Sequence, residues 1–470
     1  MILGPPLSGR DAKSGRSGSG QNSLAIEPED DLLTLPLRVT EMGPTPAAPG
    51  PERSSNYGWF VVALLWVAAM LNYLDRQAIF SLFPLLRKDL RMSNLALGLV
   101  GTVFLWVYGG LSPFVGYLGD RFSRRNIIVA TLALWSLVTF ATGFARTSVE
   151  VIALRGLMGI CEACYMPAAL TLISDYQPPA RRSTAVGLHQ TGIYFGAAIG
   201  GSFAGYVAEH WGWRRAFHSL GVFGVLFACF LWASLCEAPR GARDPLGPGS
   251  AGSSTQPLWA SLRVVLRSPT LLVLSAVVLV FSIYFWALTA WLPLFFFEKF
   301  GMGLARAGGV ANAYVQGASV LGIGLGGPLA DFALRREARA RMAVQVAGLL
   351  IPAPFLLIIG QTHSLVWAVV ALLGFGLGRG LWDCNNMPVI CDVAAPAVRS
   401  TAYGVFNFAG MLGGGIGTLG FGLLVKRAGS GTLLSAACPL AVLAAVIAWV
   451  GMKRFLLNDM RNLRITLQAG

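Results

Sequence analysis

From Tyr57 onward the chain is a succession of apolar runs of about 20 residues or more, the length an α-helix needs to cross a bilayer. Twelve can be marked, at 57–86, 94–118, 126–145, 149–176, 182–208 and 213–236, then at 270–298, 304–330, 341–361, 364–392, 397–425 and 431–453. With 55% hydrophobic and 12% charged residues over 470 positions, no water-soluble packing could bury so much apolar surface. The fold class is therefore an all-α membrane protein with twelve transmembrane helices. A net charge of +14 would suggest nucleic acid in a soluble chain, but here Lys and Arg occupy short loops between the runs, as membrane orientation requires. No nucleic-acid partner is expected.

Residues 1–55 are rich in Gly, Pro and Ser, with no apolar run, and are expected to be a disordered tail; Met42 reads as an alternative start. The longest connection, 237–269, reads as a flexible linker through Pro239, Gly241, Pro245, Gly247, Pro248 and Gly249. It divides the runs into a six-helix half at 57–236 and another at 270–455, with a short C-terminal tail at 456–470. Basic residues near the span ends number about 19 on the side of the termini, among them Arg121, Arg181, Arg243 and Arg399, against about 10 on the other. The positive-inside rule then makes both termini and the linker cytoplasmic.

The halves repeat one another in the same sense. Gly116-Tyr-Leu-Gly-Asp120-Arg-Phe-Ser-Arg124-Arg125 is echoed by Gly327-Pro-Leu-Ala-Asp331-Phe-Ala-Leu-Arg335-Arg336, offset by 211. Arg182-Ser-Thr-Ala-Val-Gly187 is echoed by Arg399-Ser-Thr-Ala-Tyr-Gly404, offset by 217. In the two G-x3-D-x3-R-R segments an Asp precedes an Arg by four residues, a spacing that brings them together on a helix. Asp120, Arg124, Arg125, Asp331, Arg335 and Arg336 are thus candidate gate residues, whose ion pairs close one side and break when the halves rock.

Charged residues inside the apolar runs mark the site. Each costs roughly 2.5–3.5 kcal/mol on insertion scales and signals a pathway or binding site. Arg155 and Glu162 are seven residues apart in the fourth run, hence on nearly one face of a helix. Asp75 and Arg76 fall at the depth of Arg155, while Glu162 falls closer to the midplane. An arginine fork suits a carboxylate in two-point contact, and Asp75 is placed to hold either arginine when substrate is absent. Glu162, desolvated at mid-membrane, suits a proton-coupling role. In the second half Arg379 and Asp383 are four residues apart and able to pair within one helix. Asp383 precedes Pro388 by five residues, as Glu162 precedes Pro167, making the two acids candidate repeat equivalents. Tyr73, Tyr108, Gln190 and Asn407 complete the candidate polar lining.

Gly116 to Arg125 resembles the signature between helices 2 and 3 of the major facilitator superfamily, a fold of two parallel six-helix repeats. Asn72-Tyr73-Leu74-Asp75-Arg76, Arg155 with Glu162-Ala163 and Pro167, and Gly212-Trp213-Arg214 resemble the anion:cation symporters. That group includes sialin and the bacterial hexuronate, glucarate and galactonate transporters. Ile173-Ser174-Asp175-Tyr176-Gln177-Pro178 with Arg181-Arg182 is similar to the spinster group of lysolipid transporters, the first alternative; a drug efflux pump is the second. The resemblance implies a monomeric secondary transporter of the inner (plasma) membrane that couples a small organic anion to protons and needs no cofactor. The absence of G-x4-G-K-[ST] disfavours an ATP-driven pump, and no nucleophile or metal-ligand cluster suggests an enzyme.

Overall fold

A computed structural model describes residues 55–238, 258–395 and 398–469; these are helices and short connections, with no strand among the described residues. Span 1 is α1 (Ser55–Ser81), continued past Leu82 by α2 (Phe83–Asp89). Spans 2 and 3 are α3 (Asn94–Arg121) and α4 (Arg124–Thr142), and span 4 is α5 (Ser148–Ala163) with α6 (Tyr165–Tyr176). Spans 5 and 6 are α7 (Pro179–Trp211) and α8 (Trp213–Ser234). A short α9 (Leu258–Arg267) leads into spans 7 and 8, α10 (Pro269–Phe300) and α11 (Leu304–Leu334). Span 9 is α12 (Ala340–Leu350) with α13 (Pro352–Gln361), and span 10 is α14 (Leu365–Asp383) with α15 (Asn386–Val393). Span 11 is α16 (Arg399–Ala428), span 12 is α17 (Ser430–Ser435) with α18 (Ala437–Arg454), and α19 (Leu456–Ala469) follows.

Eleven of these spans are both long and apolar enough to cross a membrane. The twelfth, α7, has the length at 33 residues, but Gly192, Gly196, Gly200, Gly201, Ser202 and Gly205 dilute the hydropathy of its central stretch. Spans 4 and 10 both break, and for the same reason. Pro167 has no N–H for the carbonyl of Ala163, nor Pro388 for that of Cys384, and each ring crowds that carbonyl. The helices accordingly stop at Ala163 and Asp383 and restart at Tyr165 and Asn386.

Packing repeats with the sequence. In the first six spans α1 lies on α7, α3 on α5 and α4 on α8; in the last six, α10 lies on α16, α11 on α14 and α12 on α18. Lipid tails are as apolar as leucine, so close helix approach depends on small residues that allow dispersion contact between backbones. A Cβ at Gly196 would lie 2.9 Å from the Met70 carbonyl carbon, and one at Gly413 would lie 2.9 Å from that of Leu279. The outer faces carry exposed Leu226, Trp232, Leu321 and Leu443, as a lipid-facing belt requires.

The two sets of six meet through α3 on α16 and α7 on α11. Bonds between them run from the end distal to the termini toward the centre. Arg87 pairs with Glu298 at 2.6 Å, Thr102 Oγ1 donates to Gly415 O at 2.9 Å, and Asn407 Nδ2 donates to Ser112 Oγ at 2.9 Å.

Two stretches differ from the sequence reading. The expected linker contains α9, whose Ser261 and Val265 are buried while Trp259, Arg263 and Arg267 face outward. The expected C-terminal tail is helical, and Asp459 accepts bonds from Ser268 Oγ at 2.8 Å and Thr270 N at 2.9 Å, tying α19 to the start of α10. The expected disordered segment before Ser55 lies outside the described residues.

Candidate substrate and coupling site

Four charged side chains from α1 and α5 share one interior, all nearly inaccessible: Asp75, Arg76, Arg155 and Glu162. Arg76 Nε donates to Glu162 Oε2 at 2.6 Å, a charge-assisted bond with both residues buried. This corrects the expectation that Asp75 holds an arginine. Asp75 makes no ion pair with Arg76, its neighbour about 100° around α1, or with Arg155, although it lies near enough to Arg155 and Glu162 to feel both charges. Asp75 Oδ2 instead accepts from Thr139 Oγ1 of α4 at 3.3 Å.

Aromatic rings wall the arginines. The Arg76 guanidinium lies 4.7 Å from the Tyr73 ring centre, 4.6 Å from Tyr108 and 5.0 Å from Phe104, while Arg155 lies 4.8 Å from Phe104. Such contacts contribute on the order of 0.5–2 kcal/mol each and do not neutralise a charge. Arg155 Nη1 meets the Met158 sulfur at 3.1 Å, but its Nε and Nη2, like Arg76 Nη2, are buried without an acceptor.

The second set supplies a separate polar group. Arg379 and Asp383 do not pair as their spacing predicts, because each is drawn to another helix. Arg379 Nη1 donates to Gln316 Oε1 of α11 at 2.8 Å, and its guanidinium lies 4.4 Å from the Phe285 ring. Asp383 Oδ2 accepts from the Tyr194 hydroxyl of α7 at 2.9 Å, and Oδ1 accepts from Asn386 Nδ2 at 3.3 Å. Asn407 bonds Ser112, while Gln190 is half-buried with its Oε1 unpaired.

At the end that carries the termini, the expected gate charges have partners other than the motif proposed. Asp331 pairs with Arg341 at 3.4 Å instead of Arg335, and Arg341 also bonds Asp392 at 2.8 Å. Arg336 projects over Phe332, with 5.6 Å to the ring centre, and Arg335 is exposed. Arg124 pairs with Asp175, Arg125 donates to the carbonyls of Leu235 and Trp232, and the Asp120 side chain lies outside the described residues. Arg341 and Asp392 each stand 217 residues after Arg124 and Asp175, so the two ion pairs are repeat equivalents. The 217 offset of Arg182 and Arg399 was the available signal, hidden by the 211 offset of the preceding motif. Those two arginines are equivalent as well: Arg182 Nε donates to the carbonyls of Ser174 and Gln177, and Arg399 donates to those of Cys391 and Ala394.

A repeated helical bundle with buried charges between its helices and an apolar exterior is a multi-pass membrane protein built around an internal polar site. The chain belongs to the Major Facilitator Superfamily, whose sequence profile matches residues 65–418. It is 25% identical over 438 residues to the probable galactarate/D-glucarate transporter GarP of Escherichia coli (strain K12), covering 87% of this chain and 96% of that relative. It is 31% identical over 360 residues to protein spinster homolog 1 of Bos taurus, covering 68% of this chain and 66% of that relative. In fold it is similar to the crystal structure of a bacterial homolog of the human lysosomal transporter Spinster, in an inward-facing and unoccupied conformation. That match has a TM-score of 0.75 at 22% identity, covering 86% of this chain and 99% of the other. The protein is a transporter of this superfamily and not an enzyme.

Proposed function

We propose that the protein is a proton-coupled symporter of a small organic anion, such as a sugar acid or another carboxylate, working by alternating access of its two six-helix sets. The observation that carries this reading is the buried Arg76–Glu162 pair beside Arg155, where cationic N–H groups outnumber their acceptors. A proton on Glu162 removes the partner of Arg76 and leaves that cation for an incoming anion. An anion on Arg76 leaves Glu162 without its cation and favours the proton. The two loads therefore bind with mutual assistance, as symport requires. Asp75, next to the pair and bonded to neutral Thr139, is a second proton site in this scheme, and Asp383 a third. The relation to galactarate/D-glucarate transporters supports an anionic substrate. We place the protein in the inner (plasma) membrane as a monomer, with both termini cytoplasmic.

The spinster relatives and the aromatic wall of Tyr73, Phe104 and Tyr108 favour a second reading, a lysolipid carrier. Uptake of labelled carboxylates and of a lysolipid into proteoliposomes under an imposed pH gradient separates the two. The first reading expects gradient-driven carboxylate accumulation that Glu162→Gln abolishes while exchange at equal concentrations continues. Accumulation retained in Glu162→Gln and lost in Asp383→Asn would move coupling to the second set, and lysolipid uptake alone would favour the second reading.

A further inference from the structure

Oppositely charged residues four apart on a helix are neighbours, with Cβ atoms about 5–6 Å apart, and ordinarily close on each other. Arg379 and Asp383 are held open instead. Gln316, nearly fully buried, fixes Arg379 from α11. On the other side, buried Gln345 donates to Asn386 Oδ1 at 2.8 Å, and so aims the Asn386 amide at Asp383. Tyr194 approaches Asp383 from α7. These partners are neutral, so they orient the two charges without cancelling either. Both charged residues are only half-buried, whereas Arg76 and Arg155 lie behind aromatic rings at 1% and 2% exposure. Each also keeps bonding capacity. Arg379 gives one of about five N–H groups to Gln316, and Asp383 accepts two bonds of about four.

We propose that Arg379 and Asp383 form a two-point specificity subsite for a carboxylate that carries a hydrogen-bond donor a few bonds away, with the carboxylate on Arg379 and the donor on Asp383. The inference rests on the organic-anion reading above and deepens it. The donor is a hydroxyl or an ammonium. A bare hydrocarbon chain in the same place would leave Asp383 with lone pairs desolvated and unmatched, which is how a site rejects an analogue lacking a polar group.

The test is equilibrium binding to the purified full-length protein of three six-carbon dicarboxylates: galactarate with hydroxyls, 2-aminoadipate with an ammonium, and adipate with neither. The parental protein is expected to favour one donor-bearing ligand over adipate by about tenfold or more. Asp383→Ala should collapse that ratio to within about twofold, and Arg379→Gln should weaken every ligand in parallel. Asp383→Asn separates the donors, since it keeps an acceptor for a hydroxyl and loses the charge that holds an ammonium. Because each variant is read as a ratio of two affinities, a general loss of folded protein does not imitate the result. A ratio that Asp383→Ala leaves unchanged, or a parental protein that binds adipate as well as the other two, would overturn the subsite and leave the anion reading standing. If none of the three binds, the subsite falls, and the carboxylate uptake assay decides the anion reading on its own.

Discussion

Arg155 keeps its charge inside the molecule with a thioether as the contact of one nitrogen and no acceptor for two others. Unmatched buried donors cost on the order of 1–3 kcal/mol each, more for a charged group, so a function must justify the residue. If it receives a carboxylate in two-point contact, Arg155→Lys keeps the charge but loses both the fork and the planar stacking on Phe104. We expect about ten- to a hundredfold weaker anion binding by calorimetry, with helix content unchanged. Parental affinity in the variant would assign Arg155 to structure alone. Sequence reading found Arg76, Arg155 and Glu162 because charge inside an apolar run is conspicuous. It missed Thr139, Tyr194 and Gln316, since neutral polar residues in a long helix carry no such signal. Their partners are 64, 189 and 63 residues away, and only packing brings them together.

At the scale of the helix, glycine spacing decides how closely α16 can approach α10. Gly417 is buried, and a Cβ added there would lie 2.6 Å from the Ile283 carbonyl carbon and 2.9 Å from its Cα. Those atoms belong to a helix backbone and cannot rotate away. Gly417→Ala is expected to destabilise the protein by about 1–3 kcal/mol through overpacking, visible as a lower Tm in detergent. An unchanged Tm would mean that α10 and α16 part without cost. Span positions were legible; the breaks in the fourth and tenth helices were not foreseen, although Pro167 and Pro388 were there to signal them. The helical nature of α9 and α19 was not legible. Both are too short to register as spans, and their burial depends on neighbours: Leu456 of α19 packs into the core, and Ser261 and Val265 of α9 turn away from solvent.

For the whole molecule, alternating access requires the two sets of helices to separate at the end where this structure holds them together. There α7 and α11 approach through Gly201 and Gly308, while Arg87 and Glu298 bridge α2 and α10. Beside the glycine contact, a Cβ at Gly309 would lie 3.8 Å from the Cβ of Ser202. That separation is close to the mean Cβ to Cβ distance of a disulfide, about 3.8 Å. The double variant Ser202→Cys with Gly309→Cys should therefore cross-link under mild oxidant, joining span 5 to span 8. A covalent bond at this point keeps the distal ends together but leaves the opposite end free to move. Transport into proteoliposomes should stop on oxidation and return on reduction. The parental protein, with its seven native cysteines, serves as the control for oxidant effects elsewhere. Each single variant should transport under both conditions. The rocking scheme does not survive if the double variant is fully cross-linked by mass and still transports at the reduced rate, because the substrate must then pass without parting α7 from α11.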